Sequence, residues 1–185
     1  ADVTLQAVGD LGSAAGNGTL EIRSNGVARL IATGSDIFVT SDESLTVSEI
    51  MTAANQTDTV QISTTSGAAL TLTGTDGYAN LDDGGDGGDD GDNITLAADG
   101  TLTISMTAIE ARSFDIDTTG DTVNLDVSIS ADQTIDLATA NGSLADSGTP
   151  TITVGAGLSI DLGSANGLLD DSSIAGTGSL TKAGS

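Results

Sequence analysis

The sequence contains no cysteine, no histidine and no tryptophan, and proline occurs once. Without cysteine there is no disulfide and no iron–sulfur cluster. Without cysteine and histidine together there is no usual zinc or copper site and no Ser-His-Asp or Cys-His machinery. Cations are almost as scarce. Four Lys and Arg stand against 27 Asp and Glu, a formal net charge of −23. Four cations cannot neutralise a phosphate backbone, so nucleic-acid binding is excluded, and an anionic membrane surface repels the chain. No run of 18 apolar residues is present, so no membrane-inserting helix is expected. Ala1-Asp2-Val3-Thr4-Leu5 is followed by no basic stretch and no apolar stretch of signal-peptide type, which fits a processed or excised segment. Aromatic residues number three: Phe38, Tyr78 and Phe114.

What is abundant is small and polar. Thr (27), Gly (25), Asp (23) and Ser (20) dominate the 185 residues. Asp outnumbers Glu 23 to 4, whereas a merely solvating acidic surface would use more Glu. Asp suits turns and hard-cation sites, because its short side chain holds an oxygen close to the backbone. Between the turn residues, apolar and polar residues alternate with the period of a strand. Val3–Val8, Thr19–Arg23, Ala28–Ala32, Asp36–Thr40, Ser44–Ser48, Thr59–Ser63 and Ala69–Thr73 show it in the first half. Asn93–Leu96, Thr101–Ser105, Phe114–Asp117, Val123–Ile129, Thr134–Leu137, Thr151–Val154 and Leu158–Leu162 continue it. Short strands every 8–12 residues or so are the spacing of a sandwich, a barrel or a solenoid.

Two segments break the alternation with good helix formers, Glu49–Asn55 and Met106–Arg112. Each follows a matching strand, Leu45-Thr46-Val47-Ser48 and Leu102-Thr103-Ile104-Ser105. Ser48 and Ser105 stand where an N-cap would. The two copies are 57 residues apart, which fits three coils of about 19 residues. An interior filled almost wholly by Leu, Ile, Val and Ala suits a narrow spine better than the core of a sandwich, which normally uses more large rings. The expected fold is therefore all-β: one domain over residues 1–185, an elongated parallel β-solenoid (β-helix) with short helical turns. A β-sandwich is the alternative.

The sharpest local feature is an acidic glycine loop at 82–93. Asp82, Asp83, Asp86, Asp89, Asp90 and Asp92 place six carboxylates within eleven residues. Glycine supplies the positive-φ backbone that lets carboxylates converge, and hard oxygens on such a loop suit Ca²⁺ better than Mg²⁺. These six residues are the candidate metal ligands and Ca²⁺ is the candidate ion. Gly84-Gly85-Asp86-Gly87-Gly88-Asp89 resembles the first six positions of the glycine- and aspartate-rich nonapeptide of RTX-type proteins, although Gly91 replaces its aliphatic residue. No EF-hand pattern is present. Four N-x-S/T sequons, at Asn17, Asn55, Asn93 and Asn141, are what so Thr-rich a chain contains by chance.

Strand–short helix–strand repeats with an acidic glycine loop between them resemble the β-strand-repeat proteins of bacterial and archaeal surfaces, among them S-layer proteins and large secreted adhesins. The tail Gly176-Thr177-Gly178-Ser179-Leu180-Thr181-Lys182-Ala183-Gly184-Ser185 is similar to the opening of the autotransporter-associated strand repeat. These resemblances imply an exported, elongated, non-catalytic role at the cell surface, as a segment of a longer protein. The expected function is a structural subunit of a self-assembling fibre, sheath or S-layer, stabilised by calcium. The chain itself is the expected partner, with other surface proteins or glycans beside it. An adhesin or receptor-binding stalk is the alternative. No enzyme is expected. A glycosidase needs only two carboxylates, which any two Asp here could supply, but no aromatic sugar platform accompanies them.

Overall fold

The architecture follows from what an alternating aliphatic chain can bury. The computed structural model describes residues 2–14, 18–23, 26–32, 36–52, 57–74, 92–117, 122–136, 143–146, 151–154, 159–161, 173–176 and 179–181. The first eight strands are β1 (Val3–Ala7), β2 (Leu20–Glu21), β3 (Val27–Ala32), β4 (Ile37–Ser41), β5 (Leu45–Met51), β6 (Thr59–Thr64), β7 (Leu70–Gly74) and β8 (Asn93–Ala97). Two long strands follow, β9 (Leu102–Ile116) and β10 (Thr122–Asp136). The last are β11 (Ser143–Asp146), β12 (Thr151–Val154), β13 (Ser159–Asp161), β14 (Ser173–Gly176) and β15 (Ser179–Thr181). There is no α-helix among the described residues.

The strands stack in parallel, alternately on two sides. The odd strands run β1-β3-β5-β7 to the first half of β9, and the even strands run β2-β4-β6-β8 to its second half. β9 thus joins the two runs. β10 lies along β9 in three segments separated by register shifts and carries β11, β12 and β13 on its far side. This parallel stacking is of solenoid type.

Register places like on like. On one side Leu45, Leu70, Leu102 and Val123 follow one another in successive strands, with Val47, Leu72 and Ile104 beside them. On the other side Ile37, Val60, Ile94 and Phe114 form a row, and Val39, Ile62, Leu96 and Ile116 a second. All of these are buried in one apolar cluster. The intervening Thr46, Thr71, Thr103 and Asn124 form a polar row that remains half-exposed. A period of two on each strand, with parallel neighbours in register, is enough to separate a dry interior from a hydroxyl-coated exterior.

Three expectations change. Glu49–Asn55 and Met106–Arg112 are not helical turns where the structure describes them. Residues through Met51 complete β5, all of Met106–Arg112 lies inside β9, and residues 53–56 lie outside the described set. Ser48 and Ser105 are strand residues, not N-caps. Helix propensity is worth at most about 0.7 kcal/mol per ordinary residue. It loses here to paired backbone and to the burial of Ile50, Ile109 and Ala111. The 57-residue offset holds two circuits rather than three. Leu45 lies beside Leu70 and Leu70 beside Leu102, steps of 25 and 32 residues, and the longer step contains the acidic glycine loop. Finally, every described pairing is parallel, the opposite of the antiparallel pairing that builds a sandwich.

Phe38 is buried yet stands apart from the apolar cluster. Leu11 bridges to Ile37 and Leu20 pairs with Val39, on either side of Phe38 along β4. Gly12, just after Leu11, has φ +84°, and a Cβ there would run into the Phe38 carbonyl oxygen. Gly12→Ala is therefore expected to lower stability by about 1–2 kcal/mol, from left-handed backbone strain together with the clash. Chemical denaturation of the variant against wild type measures it. Gly9→Ala, with open space around the new methyl, serves as the control.

Candidate functional site

Several of the described carboxylates lie where the chain enters a strand. Asp2, Asp36, Asp58 and Asp92 each immediately precede a strand or stand one residue before it. Parallel pairing leaves backbone N–H groups at these corners without a ladder partner, and a short carboxylate can reach them. Asp36 Oδ1 accepts the Thr59 N–H of a neighbouring circuit at 2.7 Å. Asp2 Oδ1 accepts that of Val27 at 3.3 Å, and Asp99 Oδ2 that of Gly67 at 2.7 Å. Ser44 Oγ accepts the Ala69 N–H at 3.3 Å in the same manner. Part of the Asp bias is thus structural, with corner aspartates tying one circuit to the next.

Asp92 is the extreme case. It is fully buried, at 0 % exposure. Its Oδ1 accepts the Asp58 N–H at 3.0 Å and its Oδ2 accepts the Thr52 hydroxyl at 2.7 Å. Its backbone carbonyl takes the Arg112 N–H at 3.0 Å, and Asp58 O takes the Asn93 N–H at 2.9 Å. Asp92 therefore joins the circuit before it, through Thr52 and Asp58, to the one after it, through Arg112. Arg112 Nη1 in turn reaches Thr57 Oγ1 at 3.2 Å. Burial pushes the Asp92 carboxyl up to about 7. The two hydrogen bonds oppose that rise, and the carboxylates of Asp58 and Asp36 add to it.

Of the six candidate metal ligands, Asp82, Asp83, Asp86, Asp89 and Asp90 lie outside the described residues. Asp92 is described, and both of its carboxylate oxygens already serve protein donors. It anchors the end of the acidic glycine loop where the chain enters β8. Among the described residues no group of three or more Asp and Glu is arranged to hold a metal ion.

Two arrangements carry charge without an obvious sequence signal. Arg29 on β3 pairs with Glu49 on β5, side by side through a register shift that adds Ser48 to β5. Glu49 is buried, so the pair compensates a carboxylate that would be costly alone. On the opposite run, Asp115 of β9 lies in register with Asp136 of β10, and Asp136 with Asp161 of β13. These residues are 21 and 25 positions apart, so only the pairing of the strands brings them together. What the described geometry does chemically is accept hydrogen bonds and store like charge. Comparison with protein-family models, with curated proteins and with solved structures finds no match to this chain.

Proposed function

We propose that this chain is a structural building block of an extracellular assembly, a surface fibre, sheath or S-layer, in which it forms an elongated parallel β-solenoid. One observation carries the reading. Aliphatic residues stack on aliphatic residues in parallel register from β1 through β10, and hydroxyls and carboxylates line the outside. Such a body lengthens by repetition, because each added circuit offers the next the same edge. The register shifts that divide β10 into three segments support a three-sided circuit.

Assembly with further copies of itself draws support from β1. Val3, Leu5 and Ala7 are half-buried, whereas their register partners Ala28, Leu30 and Ala32 are buried, Ala28 and Leu30 being flanked by β5 on their other side. Val8, next to them, is 90 % exposed. The segment Val3–Val8 bears no charge in a chain of −23 and is suited to accept an added parallel strand. Ca²⁺ belongs to the same reading, bridging the carboxylates of Asp82, Asp83, Asp86, Asp89 and Asp90 in the loop that Asp92 anchors. Other surface proteins or glycans are further partners of such an assembly.

Light scattering and negative-stain microscopy of the purified chain, with Ca²⁺ and after thorough chelation, test the proposal. Polymers that loosen on chelation are expected. Polymers indifferent to chelation would remove the calcium and leave the assembly. A fixed, elongated 18.1 kDa species under all conditions would overturn self-assembly and favour an adhesin or receptor-binding stalk.

A further inference from the structure

We infer that the aspartates at 115 and 136, held in register across β9 and β10 with position 161 of β13 next in the same row, form an acid-tightened seam in the strand stack that loosens as the pH rises through the mildly acidic range. The inference rests on the pairing of strands and is independent of any assembly. Asp115 is opposite Asp136, and Asp136 is opposite Asp161, in consecutive parallel strands. Parallel neighbours lie about 4.8 Å apart, so the pairing keeps the Cβ atoms of Asp115 and Asp136 close together whatever their side-chain rotamers. Like charges directly beside one another weaken a sheet.

The groups around Asp115 define its response. From β8 its register partner is Thr95, which is uncharged. From β10 it meets Asp136, and on its own strand Ser113 and, just past the end, Asp117 flank it. The two charged groups that act on it, Asp136 and Asp117, are both acids. Asp115 is itself half-buried. Burial first, then repulsion from Asp136 and Asp117, holds its carboxyl up at about 6, against 3.8 for the free group.

An acid raised in this way binds its proton more tightly in the folded chain than in the unfolded one. Its contribution to stability is complete below the unfolded value and is lost as the pH climbs through the folded value. The window therefore runs from about 4 to just above 6. A shift of that size corresponds to roughly a hundredfold in proton affinity, which solvent screening at a half-exposed site reduces to about tenfold in strand opening.

The test is a carboxyl-carbon NMR titration of the full chain, with hydrogen exchange at the amides of residues 134–136. In the wild type, Asp115 is expected to titrate well above the ordinary aspartate range. Opening at 134–136, corrected for intrinsic exchange, is expected to rise about tenfold between pH 4.5 and 7.5. Asp136→Asn should bring the Asp115 midpoint down, and Asp115→Asn should flatten the rise in opening. Both substitutions keep the shape of the side chain, and circular dichroism confirms that the strands persist. An Asp115 that titrates as an ordinary aspartate in the wild type, or a midpoint that Asp136→Asn leaves unmoved, would overturn the inference.

Discussion

Replacing Asp92 with alanine will cost the chain about 2–4 kcal/mol, whereas Asp92→Asn will cost far less. Alanine leaves the Thr52 hydroxyl and the Asp58 N–H without their acceptors at a site with 0 % exposure. A buried donor left unpaired costs about 1–3 kcal/mol, and part of that is offset because a buried carboxylate is removed as well. Asparagine keeps an oxygen for the Asp58 N–H, and its amide can donate to a Thr52 hydroxyl turned to accept. It also ends the repulsion with Asp58 and Asp36. Urea unfolding of the two variants separates these outcomes. Equal losses for Ala and Asn would show that a charge at 92, rather than an acceptor, is what the corner requires. Thr52→Val should reproduce part of the alanine loss, about 1 kcal/mol, since it removes one of the two bonds.

The second large effect is in the spine. Leu70→Ala is expected to destabilise by about 2–5 kcal/mol. Leu70 sits between Leu45 and Leu102, has no exposed surface, and its truncation opens a cavity that two rigid parallel neighbours cannot close. Thr71→Ala, one residue on and facing the polar row of Thr46 and Thr103, should change stability by no more than about 0.5 kcal/mol. The contrast between adjacent positions tests the alternation directly. Similar losses at 70 and 71 would mean that the register is wrong, because a slip of one residue exchanges the two faces.

Much of this was legible from the sequence. Leu70-Thr71-Leu72 and Thr101–Ser105 read as strands with the correct faces, and the aliphatic interior pointed to stacked parallel strands rather than to a ring-filled sandwich. The segments 49–51 and 106–112 were misjudged because Met, Ala, Glu and Arg favour helix locally. The strands on either side of β9 and β5 decide otherwise, and no local pattern records them. The preference for Asp in turns was visible. That Asp36 reaches Thr59, and Asp92 both Asp58 and Thr52, was not, because each contact spans 23 to 40 residues.

What the sequence determined by itself is which residues of an alternating segment turn inward and how acidic the chain is. Those properties are local, since an extended chain sends successive side chains to opposite faces whatever its neighbours are. Only the tertiary structure decided that circuits of 25 and 32 residues separate Leu45, Leu70 and Leu102, and that Asp115, Asp136 and Asp161 share a row. Register is a sum over many weak pairings between strands that look alike, and loop length costs little free energy, so no short segment can announce who its neighbour will be.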